Sequence, residues 1–423
     1  MSKLDELIKE LCPDGVEYKP IKDVYKRLKG TPITAGKMKE IQNDDGDIRI
    51  FAGGKTVIDA FENDIPNANI TRVPAVLVQS RGVIDAVYCE RSFTFKNEMW
   101  AYTHQEKTAV KYLYYVLKNN IEKFREAASG MGALPQISLK VTEDFTIPVP
   151  PLPVQCEIVR ILDNFTELTA ELTAELTACR KQYEYYRDLL LTRETKVEVK
   201  KLGDFATITR GGNFQKKDFV ESGLPCIHYG QMYTHFGTWT DKTLTFVDKD
   251  VFDKSKQAQP NDIVMAVTSE NVDDVCKCTA WVGKEPIAVS GHTAIIHHNQ
   301  NAKYLSYYFQ SSVFYKQKVK LAHGTKVIEV TPDKLNDITI PLPPLDVQER
   351  IVNVLDNFDS ICTDLKIGLP AEIEARKKQY EYYRDLLLTF ASSGNTILSE
   401  QNRTEQNRTE QNRTEQNRTE QMK

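Results

Sequence analysis

Apolar residues recur at steps of three or four along two long stretches of this chain. In the first, Ile158, Ile161, Phe165, Leu168, Leu172, Leu176, Cys179, Tyr183, Tyr186 and Leu190 follow one another, with no glycine or proline after Pro153. That spacing predicts a coiled-coil seam on one helix over 152–193, about forty residues and roughly 60 Å long. A second rod is predicted over 345–391 from Ile351, Val354, Phe358, Ile361, Leu365, Tyr380, Tyr383 and Leu387, with a break or kink at Gly368-Leu369-Pro370. Two rods with matching seams in one chain predict antiparallel packing with a pseudo-two-fold axis. Separate helices, each buried in its own half, are the alternative. A short amphipathic helix is expected at 1–13, where Leu4, Leu7, Ile8 and Leu11 have helical spacing.

Self-comparison adds a duplication. Asp144 to Phe165, DFTIPVPPLPVQCEIVRILDNF, returns as DITIPLPPLDVQERIVNVLDNF from Asp337 to Phe358, with 15 of 22 positions identical. KQYEYYRDLLLT at Lys181 to Thr192 returns letter for letter at Lys378 to Thr389, and Val16-Glu17-Tyr18-Lys19 is echoed by Val197-Glu198-Val199-Lys200. Residues of about 20–140 and 202–335, between these blocks, look almost unrelated. A frame that stays alike while its contents diverge suggests one chassis carrying two unlike payloads. Within the frame, Thr146-Ile147-Pro148 and Thr339-Ile340-Pro341 read as strand ends, and Pro150-Pro151 and Pro343-Pro344 as rigid leads into helices. Asp346 with Glu349 has capping-box spacing.

The expected fold is α+β: two globular mixed α/β domains, 14–151 and 194–344, separated by two long helices packed as an antiparallel coiled coil. The spacer helices are 152–193 and 345–391, and a disordered tail follows at 392–423. The seam residues expected to matter most are Phe165, Leu168, Leu172, Leu176, Tyr183, Tyr186, Phe358, Leu365, Tyr380 and Tyr383. The first rod holds a smaller repeat, LTAELTAELTA, from Leu168 to Ala178, and the second rod has 19 residues between its matched blocks against 15 in the first. Four residues are about one turn, or 6 Å, so a four-residue repeat is a natural ruler. Alanine, glutamate and leucine are also simply good helix formers.

Composition changes this picture little. A net charge of −4 and pI of about 6.1 argue against indiscriminate coating of DNA, though local basic faces remain open. No apolar run reaches the roughly 18–20 residues of a membrane span, and a cytoplasmic protein is expected. Of eight scattered cysteines, only Cys276 and Cys278 are close, followed by His292, His297 and His298. Reduced thiols on a strand are expected there, with no metal bound, since no second cysteine pair appears.

At these residues the chain resembles the specificity subunit of type I restriction–modification enzymes, in the subgroup with TAEL spacer repeats. The resemblance rests on the twice-used IP-x-PPL-x-VQ segment, the LDNF helix, the TAEL repeats and the twice-used KQYEYYRDLL, and it covers the chain to about residue 391. In the second domain, Leu224 to Thr234 and Pro260-Asn261-Asp262-Ile263-Val264 resemble strand motifs of the family's target-recognition domains, with Asn261 where glycine is frequent. The resemblance implies a non-catalytic subunit that reads a bipartite double-stranded DNA target, one half-site per domain, the helical pair setting the unspecified spacer. It implies docking of two modification subunits, which methylate adenine with S-adenosylmethionine, and of ATP-driven, magnesium-dependent restriction subunits. It implies no cofactor bound by this chain and no membrane.

Reading bases needs side chains at groove edges and cations on phosphates. The candidates are Lys55, Arg72, Gln79, Arg81 and Arg91 in the first domain, and Arg210, Gln215, Lys216, Lys217, His228, Gln231 and Lys326 in the second. Each is also compatible with an ordinary solvated surface position.

Catalytic motifs fall away on inspection. Gly53-Gly54-Lys55-Thr56 would need a glycine where Arg49 stands to be a phosphate loop. Glu17-Tyr18-Lys19 could end a nuclease motif, but Asp14 is too near in sequence to be its usual partner. No glycine-rich S-adenosylmethionine loop and no Asn/Asp-Pro-Pro-aromatic motif is present, which disfavours a free-standing methyltransferase or nuclease. A structural adaptor with two binding domains is a further class.

EQNRT repeats four times from Glu400 to Thr419. The unit has no apolar residue and no helical or strand period, so disorder is expected. The peptide can be written GAA CAG AAC AGA ACA, the unit GAACA three times over. Tracts of that kind slip in replication, so a phase-variable gene is expected, its C-terminus differing between clones and this version stopping soon after the tract. Mixed synonymous codons in the gene would remove that reading.

Overall fold

In a computed structural model, the structure describes residues 2–129, 134–192, 197–363 and 368–393. The seam position Leu365 and the repeat tail lie outside the described residues. The chain divides into two compact units, one of residues 1–171 with 374–423 and one of 172–373. The first unit therefore takes the start of one rod and the end of the other, and the second unit takes the remainder.

In the first unit, Lys3–Leu11 is the expected N-terminal helix, closed by a capping box between Ser2 and Asp5. Leu4 is buried and Leu11 is exposed. Its main sheet is antiparallel with strand order 26–28, 100–103, 75–79, 85–89. A smaller sheet has Ile48–Phe51 at its centre, antiparallel to Val57–Ala60 and parallel to Phe93–Phe95. Helix Lys107–Asn119 buries Ala109, Val110, Leu113, Val116 and Leu117, one apolar stripe at helical spacing.

The second unit repeats this plan with unlike residues. Its main sheet runs 206–210, 293–298, 263–266, 278–281, with an added parallel edge at 239–240. Its smaller sheet again centres on a strand, Leu224–Ile227, antiparallel to Thr245–Val247 and parallel to Ile287–Val289. Helix Ala302–Tyr308 stands where Lys107–Asn119 stands in the first unit. Asn261 has a positive φ of 72°, the backbone conformation that favours glycine there.

The frame blocks fold alike. Tyr18–Pro20 pairs with Thr146–Pro148 and Val199–Lys201 with Thr339–Pro341, with Lys19 opposite Ile147 and Lys200 opposite Ile340. Each proline-rich lead ends in a carbonyl cap: Pro151 O accepts from the N–H groups of Val154 and Gln155, and Pro344 O from those of Val347 and Gln348. The buried Gln155 and Gln348 amides each reach back 2.8 Å to the carbonyl of the preceding proline, Pro150 or Pro343. This cap replaces the expected Asp346–Glu349 box, because the helix already begins at Leu345 and puts Asp346 inside its first turn.

The first rod is one helix, Leu152–Thr192. Its repeat threonines are tolerated because they bond back to the carbonyl four residues earlier, as Thr169 does to Phe165 and Thr177 to Thr173. The second rod is two helices, Leu345–Thr363 and Leu369–Ser393, the later one starting at the expected Leu369-Pro370. The buried stripe of Leu345–Thr363 differs from the expected seam. Ile351, Val352, Leu355 and Cys362 are buried, while Val354 and Ile361 are 43% and 48% exposed. Steps of three and four can be traced down two adjacent stripes, and packing selected the neighbour.

Each unit closes its helices with the same aromatic clasp. In the first unit Phe165 stacks on Tyr383 at 5.5 Å and meets Tyr380 edge-on, with Arg384 over the Tyr380 ring. In the second unit Phe358 stacks on Tyr186 at 6.0 Å, with Arg187 over the ring of buried Tyr183. There, Cys179 meets Cys362 while Tyr186 meets Phe358, so the two helical segments run antiparallel. Leu172 is buried and Leu168 and Leu176 are half-buried, consistent with a seam through the repeat.

Candidate nucleic-acid interface

Within each unit, loops that follow equivalent strands gather at one end of the sheets. In the first unit they are the 52–56 turn, the 80–83 loop and the 134–136 segment. The 52–56 turn is a strand–turn–strand hairpin with Gly54 at φ 71°, unlike a phosphate loop, which leads from a strand into a helix. Gly54 N–H donates to Arg81 O at 3.1 Å, Gly82 N–H to Pro135 O at 2.9 Å, and Ile137 N–H to Ser80 O at 3.0 Å. Lys55 and Arg81 are thereby brought to one loop cluster, both exposed or nearly so. Gln79 lies beneath it, buried, its amide donating to Gly54 O at 3.2 Å, so it braces the turn.

Arg72 and Arg91 are placed elsewhere. Arg91 lies 2.9 Å from Asp59, which also holds Arg49 at 3.0 Å, at the opposite end of the smaller sheet from Lys55. The two guanidinium groups hold the Asp59 carboxyl below its usual range, the bond from Arg49 contributing most. Arg72 is paired with Glu62 at 2.5 Å.

In the second unit the gathered loops are 211–218, 228–231, 290–292, 268–269 and 323–329. Gly211 is required by crowding, since a Cβ there would lie 2.2 Å from Ser290 O. Arg210 donates to Gly291 O at 3.0 Å and pairs with Glu329 at 3.1 Å, tying the 323–329 hairpin to this end. Lys326 is exposed at that hairpin's turn. Gln215 caps a short 3-10 turn through Asp218, and Lys216 and Lys217 stand exposed upon it.

His228 is buried and its N–H donates to the Gln231 side chain at 3.0 Å, so Gln231 also shapes the loop. Burial first, then nearby Lys216 and His292, push His228 below its ordinary range, which keeps the ring neutral. Two rings that were not among the candidate DNA contacts join it. Tyr229 lies 4.7 Å from His228 and 4.8 Å from exposed His292, making a run of three rings. His292 lies 64 residues beyond His228 in sequence, and only strand pairing joins them.

Cys276 and Cys278 are buried, Cys276 in a left-handed turn (φ 67°) ahead of the strand that Cys278 opens, and burial pushes both thiols up to about 12. Among the described residues there is no cluster able to hold a metal ion, and no helix is long and apolar enough to cross a membrane.

The frame holds a third shared element that the sequence reading passed over. Tyr115 Oη and Lys111 Nζ donate to Asp163 at 2.6 and 2.7 Å, and Tyr307 Oη and Lys303 Nζ donate to Asp356 at 2.6 and 2.8 Å. Tyr112 and Tyr304 bond the carbonyls of Pro148 and Pro341. The signal was present as Lys-Tyr-Leu-x-Tyr at 111–115, with Lys-Tyr-Leu-x-Tyr again at 303–307.

One fold used twice on a duplicated helical frame, each copy ending in a loop cluster, defines a two-module protein built on a scaffold. The family model described as the type I restriction modification DNA specificity domain matches residues 13–178 and again 194–375, and the chain belongs to that family. It is 33% identical over 411 residues to a type I restriction enzyme specificity subunit of Escherichia coli, covering 92% of this chain and 98% of that one. Its fold is similar to a chain in a structure titled for complex assembly and conformational transition of the type I R-M system, with a TM-score of 0.58 and 15% identity over 89% of this chain and 98% of that one. The S subunit of a type I system from M. genitalium is similar at a TM-score of 0.51 and 14% identity, over 89% and 96%.

Proposed function

We propose that this chain is the DNA sequence-specificity subunit of a type I restriction–modification complex, with no chemistry of its own. The observation that carries the reading is the pairing of an almost invariant duplicated frame with two loop clusters that share a fold and little sequence. Each cluster reads one half-site of a bipartite double-stranded target. Lys55 and Arg81 in the first, and Lys216, Lys217 and Lys326 in the second, hold phosphates. The ring run at His228, Tyr229 and His292 lies against bases or sugars. Gln79, Gln231 and Arg210 position the loops that do so. The continuous helix through the TAEL repeat sets the count of unspecified base pairs.

The partners are modification and restriction subunits. The twelve-residue segment that occurs twice supports two copies of the modification subunit: Tyr185 and Tyr382, at matching positions, are 63% and 49% exposed, and their rings meet Tyr186 and Tyr383 at the same 5.4 Å. Packing alone does not explain keeping exposed tyrosines identical; a surface presented twice to one kind of partner does. S-adenosylmethionine, ATP and magnesium are used on those partner subunits.

The test is exchange of residues 14–150 for the corresponding segment of another family member, followed by sequencing of methylated motifs in cells. One half-site should change completely and the other remain. A change in both, or in neither with methylation retained, would sink the two-reader assignment.

A further inference from the structure

Cys179 and Cys362 lie on the two antiparallel helical segments of the second unit, their sulfur atoms 2.7 Å apart. Cys362 is 1% exposed and Cys179 is half-buried, so the pair is reached from the Cys179 side. They are 183 residues apart in sequence, and the frame aligns them: the Tyr186–Phe358 clasp and the packing of buried Leu355 hold the same two helices in register. A hydroxyl pair or an aliphatic pair would fill this contact without reactive chemistry. Two apposed thiols at 2.7 Å instead stand about 0.7 Å beyond the length of an S–S bond, about 2.0 Å.

We propose that Cys179 and Cys362 are a modification site, forming a reversible disulfide that staples the two helices of this unit. The oxidant is a hydroperoxide. The Cys179 sulfur attacks one peroxide oxygen, the O–O bond breaks, and the departing hydroxide takes the thiol proton and leaves as water. That gives a sulfenic acid on Cys179. The Cys362 sulfur then attacks the Cys179 sulfur; the S–S bond forms, the S–O bond breaks, and the hydroxide leaves as water with the Cys362 proton. Two thiols lose two electrons, and one hydrogen peroxide becomes two waters. A dithiol returns the pair by exchange. The order of attack follows exposure, since Cys179 is half-buried and Cys362 is 1% exposed, so the peroxide reaches Cys179 first.

The bond would close a long loop and so restrict the unfolded chain more than a short-range link does. The full-length chain is treated with hydrogen peroxide and digested without reduction. The expected result is one linked peptide pair containing Cys179 and Cys362, two hydrogens lighter than the sum, lost on adding dithiothreitol, together with a higher unfolding midpoint for the second unit. Exposed Cys156 serves as the internal control for non-specific oxidation. Cys179→Ser and Cys362→Ser should each abolish the linked peptide and the shift in midpoint. Because Cys362 is buried and its variant could fail to fold, Cys179→Ser alone suffices for that comparison. Recovery of Cys179 as sulfinic acid or as an iodoacetamide adduct after peroxide, with no linked peptide, overturns the proposal.

Discussion

The turn after the central strand of the smaller sheet is short in the first unit, residues 52–56, and long in the second, residues 228–244. In one it presents a glycine pair and Lys55; in the other it carries a helical turn, two rings of the three-ring run and an extra edge strand at 239–240. The contacts that anchor the two domains to their helices show no such difference. Asp163 and Asp356 each take one tyrosine hydroxyl and one lysine, with bond lengths that agree within 0.1 Å. The sheets keep one plan with unlike residues, while differences in loop length and architecture gather at one end of each sheet, where insertions cost little. The shared anchoring residues fall where a changed side chain would leave a partly buried partner unsatisfied. That division is what a reader with exchangeable specificity needs.

The largest effect that sharpens this contrast comes from the helix that serves both units. Deleting Thr173 to Leu176 removes one repeat unit and about 6 Å of helix, with a single turn lost and the seam kept in phase to within a fraction of a turn. Base pairs rise about 3.4 Å, so the unspecified spacer in the methylated motif should shorten by one or two, with both half-sites unaltered. An active deletion variant whose motif keeps its spacer removes the ruler.

A smaller effect tests whether the two anchors are truly equivalent. Asp163→Ala and Asp356→Ala should each destabilise their own unit by about 1.5–3 kcal/mol, because each leaves a tyrosine hydroxyl and a lysine without their shared acceptor. Both carboxylates are partly exposed, at 33% and 26%, so the lower half of that range is expected. Denaturant unfolding of the full chain reads it. Losses that differ by more than about 1 kcal/mol would show that matching geometry does not mean matching energetics.

Much of this was legible in the sequence, and the illegible parts have physical causes. The rods, their break at Leu369-Pro370 and the duplicated frame could be read because helical periodicity and repetition are local signals. Which stripe of Leu345–Thr363 is buried could not, because Val354 and Leu355 begin equally good ladders and only the partner helix decides between them. The sheet orders were unreadable for a related reason: the strand at 26–28 pairs with 100–103, and strand preference reflects such distant neighbours more than the residues themselves. Lys111, Tyr115 and their twins were missed because four matching positions stand alone inside otherwise unlike segments. Among the candidate DNA contacts, residue type gave Lys55 and Arg81 the same standing as Arg72 and Arg91. The structure separates them by which sheet end they occupy and by whether a carboxylate already holds them.

That separation yields the smallest and most local prediction. Lys55→Ala and Arg81→Ala should each weaken binding of the assembled complex to its target by about fivefold, near 1 kcal/mol. Each should also reduce the steepness of the dependence on log salt by about 0.9 if a single phosphate contact is lost. Arg72→Ala and Arg91→Ala should stay within about twofold of the parent, since Glu62 and Asp59 neutralise those guanidinium groups in the free protein and no gathered loop carries them toward a ligand. Fluorescence anisotropy on a labelled target duplex at three salt concentrations distinguishes the two pairs. Arg91→Ala carries a risk to folding, because Asp59 would keep only Arg49; a thermal melt of the same sample separates lost structure from lost contact. If the Arg72 and Arg91 variants lose as much affinity as the Lys55 and Arg81 variants, with unchanged melts and a matching fall in salt dependence, then the DNA surface of the first domain lies across the smaller sheet rather than at the gathered loops. The comparison between the two loop clusters would then need to be redrawn around Asp59 and Glu62.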